Sequence, residues 1–269
     1  MLYPSAEMSD DVVPKRIRLS TVYLPVGTRH IHCTQAISES RALVVLCNPL
    51  WNERAYVSPL YHALMKSLAI AGFDVVLFDW TGQGNSSGES WDMSADTMRS
   101  DIDAVTESFR PNPNCPSVMV ACRAVALVTA SFPNATNVLI DPIVDAAKWF
   151  RSLLLLERTK EIVAYRKSAL SAAAFAAGGD RITLCETVIG TRLYADLLKC
   201  SGDFKPPQNV VEIGLASRAP LAVAPDRWID LQAHNQYREA IWQTPGKITP
   251  SMCAAVCEST LQALDLRNA

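Results

Sequence analysis

The segment SVMVACRAVALVTASF, residues 117–132, contains the two side chains with the most distinctive chemical potential. Its residue pattern predicts a short buried strand, a tight turn and an apolar helix. In a G-x-S-x-G turn of this kind the serine is a nucleophile, but here Arg123 occupies the serine position. A guanidinium at that position suits a carboxylate, a phosphate or a developing oxyanion of a ligand. The alternative is an internal salt bridge, for example with Glu53.

Cys122 offers a second interpretation of the same turn. Shifted by one residue, the motif reads V-A-C-R-A, which makes Cys122 the nucleophile and lets Arg123 lower the pKa of its thiol. That shift places Val120 at a position that normally takes glycine, where Ala121 fits better. The alternative for Cys122 is a small thiol packed in the interior.

Residues that follow the other predicted strands complete the candidate site. Glu53 is a candidate general base if burial raises its pKa, and its alternative role is an ion pair with Arg123 or Arg54. Asp141 follows a strand but has no histidine to orient, so we expect it to cap a helix or to lie at the surface. The predicted ligand contacts, each of which is alternatively an ordinary packing residue, are Trp51, Asn52, Trp80, Tyr194 and Trp242.

An alternation of strands and helices is predicted to position these residues. An opening antiparallel hairpin with a four-residue connection precedes continuous apolar strands, which predict an α/β fold with a mostly parallel, doubly wound sheet. Ser58 and Pro59 predict the start of the first helix, and Ser94 predicts the start of the second. Any ligand is expected at the carboxyl ends of the strands. The predicted strands are 16–24, 29–35, 41–47, 74–79, the start of 117–132, 136–141, 209–217 and 236–242.

A mostly helical stretch interrupts this alternation and sets the predicted domain organisation. We expect residues 1–144 and 206–269 to form the core. Residues 145–205 are expected to form a helical lid insertion of the kind that often covers a site at the strand ends.

Composition excludes several classes of function. The chain has 269 residues, of which 49% are hydrophobic, and a net charge of −2, which disfavours binding to nucleic acid or to an anionic membrane. The N-terminus has no apolar secretory signal, and no apolar run is long enough to span a membrane. Eight cysteines without a C-x-x-C pair indicate reduced thiols in the cytoplasm and no metal site. No cofactor is expected.

The glycine-rich loop after the strand at 74–79 has two interpretations. Its G-x-G-x-x-x-G spacing differs by one residue from a dinucleotide fingerprint, and the loop does not open directly into a helix. A tight structural turn is therefore favoured over a phosphate cradle. The D-x-x-G-x-G-x-S-x-G pattern at 79–88, together with LVVLCNPLWNE and the segment at 117–128, resembles the α/β-hydrolase superfamily.

Within that superfamily, the chain resembles the second type of the exosortase A system-associated hydrolases. That group has arginine in the nucleophile position of a G-L-R-L-G-A turn, and the corresponding segment of this chain is ACRAVA. It also has a P-P-F-x-E-E-like segment beside residues 48–53 and an F-W-Q-T-like segment beside residues 241–244. The resemblance covers residues 40–265 and implies the α/β-hydrolase fold.

The serine and the histidine of a hydrolase triad are missing at their expected positions, so we expect no working triad. Trp242 occupies the histidine position, and the four histidines of the chain lie elsewhere, at His30, His32, His62 and His234. We therefore expect an enzyme that acts on an acyl, ester or thioester small molecule by elimination, cyclisation or acyl transfer in a biosynthetic pathway. The alternative is a non-catalytic relative that binds a ligand or acts as a scaffold in a biosynthesis or export system. A second copy of the chain, in a homodimer, is left open as a partner.

Overall fold

Uninterrupted apolar runs form the strands at the centre of an eight-stranded sheet. Leu43–Cys47 and Ser117–Cys122 are buried at every position, as expected for strands that are covered on both faces. The computed structural model describes residues 17–38, 42–132, 134–167, 181–184, 187–205, 210–214, 228–230 and 249–268. Its strands are β1 (Arg18–Val26), β2 (Arg29–Ile37), β3 (Leu43–Cys47), β4 (Asp74–Phe78), β5 (Ser117–Cys122), β6 (Thr136–Ile140), β7 (Arg181–Leu184), β8 (Thr187–Gly190), β9 (Val210–Gly214) and β10 (Trp228–Asp230). Its α-helices are α1 (Asn52–Ile70), α2 (Ala95–Phe109), α3 (Ala126–Thr129), α4 (Ala146–Tyr165), α5 (Thr191–Gly202) and α6 (Pro250–Asn268), with 3₁₀ turns at Ser90–Asp92 and Arg123–Val125.

The strand order confirms the predicted doubly wound, mostly parallel sheet. The order is β1-β2-β4-β3-β5-β6-β9-β10, with antiparallel pairing of β1 to β2 and of β2 to β4 and parallel pairing of the other neighbours. The register places Cys47 between Phe78 and Ala121. The loops after β3, β4 and β5 therefore leave the same edge of the sheet, which is where ligands bind in open α/β sheets.

Each face of the sheet has its own hydrophobic core. Side chains alternate along β5, so that Met119 and Ala121 face the core formed with α2, α3, α4 and α5. Val120 and Cys122 face the opposite core, formed with α1 and α6. Neighbouring residues at the end of β5 therefore have different chemical surroundings.

The predicted start of the first helix was wrong. Helix α1 begins at Asn52, and Pro59 lies inside it rather than in its first turn. Proline removes one helical hydrogen bond, but burial of Val57 and Leu60 on either side of it favours a continuous helix. The connection in the opening hairpin is also shorter than predicted, since β1 and β2 are joined by two residues, 27 and 28.

The second helix begins where the sequence predicts it. Ser94 caps α2 as predicted, because its Oγ accepts from the backbone N–H of Thr97 at 3.1 Å. Between β6 and β9 the chain forms α4, the antiparallel β7–β8 hairpin and α5. The predicted lid boundaries stay a prediction, and the predicted strand at 236–242 lies outside the described residues. In the described part of the chain no helix is long and apolar enough to cross a membrane.

The glycine-rich loop after β4 provides the first testable prediction. Gly84 has a φ of 58°, and an added Cβ would overlap the carboxylate of Asp79, so Gly84→Ala should lower the free energy of unfolding by about 2–4 kcal/mol. Gly27 is the matched control, because its φ is 61° and nothing lies within 4 Å of an added Cβ. Gly27→Ala should cost only the backbone strain, about 1–2 kcal/mol. Urea unfolding measures both, and equal losses would contradict the steric argument.

Candidate active site

Three strand ends on the same sheet edge carry strained backbone. Trp51, Arg123 and Asp141 have φ values of 52°, 58° and 44°, and none of them is a glycine. Trp51 immediately precedes α1, whereas Arg123 and Asp141 directly follow β5 and β6. Such conformations cost about 1–3 kcal/mol each and concentrate at functional sites. The strain therefore marks this edge as the candidate site.

A buried ion-pair network occupies the turn after β5. The Arg123 guanidinium donates from Nε to Glu53 Oε1 at 3.2 Å and from Nη1 to Asp141 Oδ2 at 3.1 Å. All three side chains are less than a tenth exposed. The predicted surface or capping role of Asp141 was therefore wrong. Because β5 and β6 are parallel neighbours, the residues that follow them meet at one place.

Glu53 is the most perturbed group of this network. Burial raises the pKa of its carboxyl above the usual 4.5, Arg123 lowers that pKa in part, and Asp141 raises it. Oxygen Oε2 of Glu53 is buried and has no hydrogen-bond partner among the described residues. The indole of Trp149 lies close enough to lower the Glu53 pKa, but its Nε1 forms no hydrogen bond with the described residues. The network thus holds a carboxyl group that binds a proton more readily than usual.

Aromatic side chains of the insertion stack against this edge. Trp51 and Trp149 are parallel, with ring centroids 5.3 Å apart, and Phe150 packs edge-on against both. Tyr194 of α5 lies edge-on against Phe150 at 4.5 Å. The structure therefore joins the predicted contacts Trp51 and Tyr194 through two residues that sequence reasoning missed. Their signal was an adjacent Trp-Phe pair in the first turns of the helix after β6.

Cys122 lies in the opposite core and not in this network. Its side chain is fully buried, and burial raises the pKa of its thiol far above the usual 9. Burial also raises the pKa of the Cys47 thiol. A nucleophilic cysteine needs an accessible thiolate. The environment of Cys122 is that of a packed, neutral thiol.

The remaining predicted ligand contacts differ in their surroundings. Trp80 is fully buried, and its indole Nε1 donates to the carbonyl oxygen of Asn48 at 2.6 Å, which is a packing arrangement. Asn52 is partly exposed at the start of α1 and lines an open cleft of about 500 Å³ together with Trp51 and Gln83. We call this the α1 cleft. Trp242 lies outside the described residues.

The described residues offer no metal centre and no histidine for the network. Within those residues, no group of three or more His, Cys, Asp or Glu side chains could hold a metal ion. His32 pairs with Asp79 at 3.2 Å, and His62 bonds the carbonyl oxygen of Ser58 at 2.7 Å, so both are engaged elsewhere. His234 lies outside the described residues.

Comparison with known proteins agrees with the topology. A family model described as serine aminopeptidase, S33, matches residues 38–129, which contain β3, α1, β4, α2 and β5. Solved structures of α/β-hydrolases match along almost the whole chain, and the sheet order agrees with them. The chain has the α/β-hydrolase fold.

Two solved structures illustrate this α/β-hydrolase likeness. Alpha/beta hydrolase domain-containing protein 10 from mouse is 15% identical, with a TM-score of 0.56, over 91% of this chain and 98% of that chain. Est1E from Butyrivibrio proteoclasticus, solved with ferulic acid bound, is 11% identical, with a TM-score of 0.58, over 91% of this chain and 99% of that chain. No curated protein matches the sequence. At these identities the likeness establishes the fold alone.

Removal of the central cation gives the second prediction. Arg123→Met should lower the free energy of unfolding at neutral pH by about 3–5 kcal/mol, because it leaves buried carboxylates without their partner. Arg123 lowers the Glu53 pKa, so the variant raises that pKa further. A raised carboxyl pKa gives stability that is lost as the pH rises, so the deficit should shrink in acid and grow toward alkaline pH.

Arg99→Met is the matched control for this measurement. Arg99 pairs with the exposed Asp96 at 3.0 Å, and such a pair contributes about 0–1 kcal/mol. Denaturant unfolding at several pH values compares the two variants. A loss for Arg123→Met as small as the control loss, with no dependence on pH, would show that the network does not bear on stability.

Thiol accessibility gives the third prediction. Of the seven described cysteines, all of which are free, Cys200 alone is partly exposed. Native protein treated with a maleimide should therefore carry the label on Cys200 well before Cys122, as read by peptide mass spectrometry. Cys122 should react only after unfolding, with Cys122→Ser as the control for peptide assignment. Early labelling of Cys122 would restore it as a nucleophile candidate.

Proposed function

We propose that the protein is an enzyme without a Ser-His-Asp triad that acts on an acyl, ester or thioester small molecule by proton transfer. The observation that carries this proposal is Glu53, a buried carboxyl with a raised pKa and an oxygen that has no partner among the described residues. A raised pKa makes the carboxylate a stronger base once it is ionised. The strained turn at Arg123 supports arginine, rather than Cys122, as the residue in the nucleophile position.

Glu53 is assigned the proton transfer in this proposal. In an elimination, its carboxylate takes a proton from the carbon next to the ligand's carbonyl group, and the electron pair of that C–H bond forms the new double bond. The bond to the leaving group breaks, and the leaving group accepts the proton that Glu53 took. Cyclisation uses the same proton removal to activate an internal nucleophile. Neither reaction needs an oxidant, a metal or a covalent intermediate.

Arg123 and Asp141 position and tune Glu53. The guanidinium holds one carboxyl oxygen of Glu53 by its Nε–H, which leaves Oε2 as the oxygen that meets the ligand. Before a ligand binds, Arg123 therefore stabilises carboxylates of the chain itself. During the reaction the same cation stabilises the negative charge that develops beside Glu53. Acyl transfer through Cys122 is the least supported of the three reaction classes because of its burial.

The surroundings of the network complete the proposal. Residues 145–205 act as the lid in this proposal, because Trp149 and Phe150 of α4 pack against Trp51 and Tyr194 of α5 packs against Phe150. The seven described cysteines are free, which supports a cytoplasmic location. The role in a biosynthetic pathway is proposed from the resemblance to the exosortase A system-associated hydrolases. A homodimer remains part of the proposal without a specific interface.

The fourth prediction tests Glu53 directly. A panel of acyl esters and thioesters that carry a leaving group β to the carbonyl is followed by mass spectrometry of the products. With an active compound, kcat/KM should rise with pH through a midpoint above 4.5, because the base is the carboxylate of a group with raised pKa. Glu53→Gln should lower kcat/KM by at least about 100-fold and abolish its rise with pH.

Two further variants make the test specific. Glu107→Gln changes an exposed glutamate of α2 and should leave the pH profile unchanged. Asp141→Asn removes a charge that raises the Glu53 pKa, so the midpoint should move to lower pH. A purely structural Asp141 would reduce the amount of folded enzyme without moving the midpoint. Full activity of Glu53→Gln would refute the proposal.

A non-catalytic ligand-binding or scaffold protein of a biosynthesis or export system is the second candidate. The specific observation in its favour is that Arg123 is already paired with two carboxylates of the chain, beneath stacked indoles. This candidate predicts that compounds bind without being converted. Binding followed by Trp fluorescence, with no product in the mass spectrum, would favour it.

A further inference from the structure

A second set of unpaired polar groups lies beside the α1 cleft. Gln83, in the glycine-rich loop after β4, lines this cleft and is only 8% exposed. Neither its Nε2 nor its Oε1 has a hydrogen-bond partner among the described residues. The indole Nε1 of Trp51, another residue of the cleft wall, is unpaired in the same sense. Two donor nitrogens and one acceptor oxygen of this cleft wall therefore have no partner among the described residues.

The backbone explains why Gln83 is held there at a cost. Its N–H donates to the carbonyl oxygen of Trp80 at 2.8 Å, and its carbonyl oxygen accepts from Ser86 at 3.1 Å. These bonds form the turn whatever the side chain is, so the fold does not require glutamine at this position. An unpaired buried amide destabilises a protein, and each such group calls for an explanation. A ligand that pairs with the amide supplies one.

Trp51 provides an independent sign that this wall is functional. Its φ of 52° and ψ of −129° lie in a region that side chains avoid. Its ring stacks on Trp149, and the same residue lines the α1 cleft.

We propose that the α1 cleft binds an amide group of the ligand through Gln83. The ligand N–H donates to Gln83 Oε1, and the ligand carbonyl oxygen, which lies on the opposite side of a trans amide, accepts from Trp51 Nε1. The flexible glutamine side chain turns its covered amide to the cleft surface. This movement of the side chain breaks no hydrogen bond to the described residues. The inference rests on the proposed function in that it names a group carried by the same ligand.

The donor and acceptor pattern selects an amide over other carbonyl compounds. An ester carbonyl accepts from Trp51 Nε1 but leaves Gln83 Oε1 unpaired, and a carboxylate places negative charge against Gln83 Oε1. The nearby guanidinium of Arg54 does not favour a free carboxylate, because it already pairs with Asp79 at 2.6 Å. Leaving a buried polar group unpaired is how a site built for hydrogen bonding rejects an analogue.

The experiment follows the side-chain amide of Gln83 by ¹H–¹⁵N NMR of the full chain. N-methylacetamide is titrated into the protein, and methyl acetate, which has a similar shape and no N–H, is titrated into a second sample for comparison. We expect a saturable shift of the Gln83 amide signals with N-methylacetamide and a shift at least about tenfold smaller with methyl acetate at equal concentration. Equal shifts, or no shift of Gln83, would overturn the proposal.

Variants separate this site from general effects on the fold. Gln83→Met keeps the side-chain length without polar atoms, so it should abolish binding of N-methylacetamide, as followed by backbone signals of the cleft, and leave the melting temperature unchanged or raised. Gln262→Met, on exposed α6 surface, is the control and should bind like the wild type. A melting temperature lowered by Gln83→Met would show that the amide is paired within the fold and would also overturn the proposal.

Two larger probes identify the source of the amide. S-acetyl-N-acetylcysteamine carries an amide beside a thioester, whereas a blocked dipeptide carries only peptide amides. Tighter binding of the first assigns the site to an acyl thioester, and tighter binding of the second assigns it to a peptide. The test is independent of catalysis, because Glu53→Gln should still bind the amide.

Discussion

The ion pairs of Arg123 with Glu53 and Asp141 constrain everything else at the carboxyl edge of the sheet. Three ionisable side chains are withdrawn from water, and their mutual attraction offsets the loss of hydration only while their geometry holds. That geometry requires β5 and β6 to stay in register and α1 to begin directly after Trp51. The left-handed backbone at Arg123 and Asp141 is tolerated because the surrounding fold fixes it.

The ion-pair network is charged, and the aromatic side chains packed near it are apolar. The ion pairs supply charge and a carboxyl with a raised pKa, while Trp51, Trp149 and Phe150 exclude water and lower the local dielectric. Exclusion of water is also the cause of the raised pKa of Glu53, so the aromatic cover and the proton affinity of the site have a common origin. This edge of the α/β-hydrolase fold thereby holds a buried carboxyl group beside a buried cation.

Much of the fold could be predicted from local pattern. The buried strands, the capped helix at Ser94 and the order of elements followed from apolar runs and capping residues, which act over a few neighbouring residues. The start of α1 could not be predicted in the same way. Pro59 is a local signal for a helix start, but burial of residues on either side of it outweighs the lost hydrogen bond. Trp149 and Phe150 were missed because their role depends on which loop the insertion covers.

By itself the sequence determined which residue stands at the turn after β5 and that a mostly parallel sheet presents it, because both depend on order and periodicity along the chain. Only the tertiary structure decided that Arg123 is paired with Asp141 as well as Glu53, and that Cys122 belongs to the opposite core. The physical reason is that adjacent residues of a strand face opposite sides, whereas ion pairs join residues that are distant in sequence. Burial then set the protonation of Glu53, and burial is a property of the whole fold.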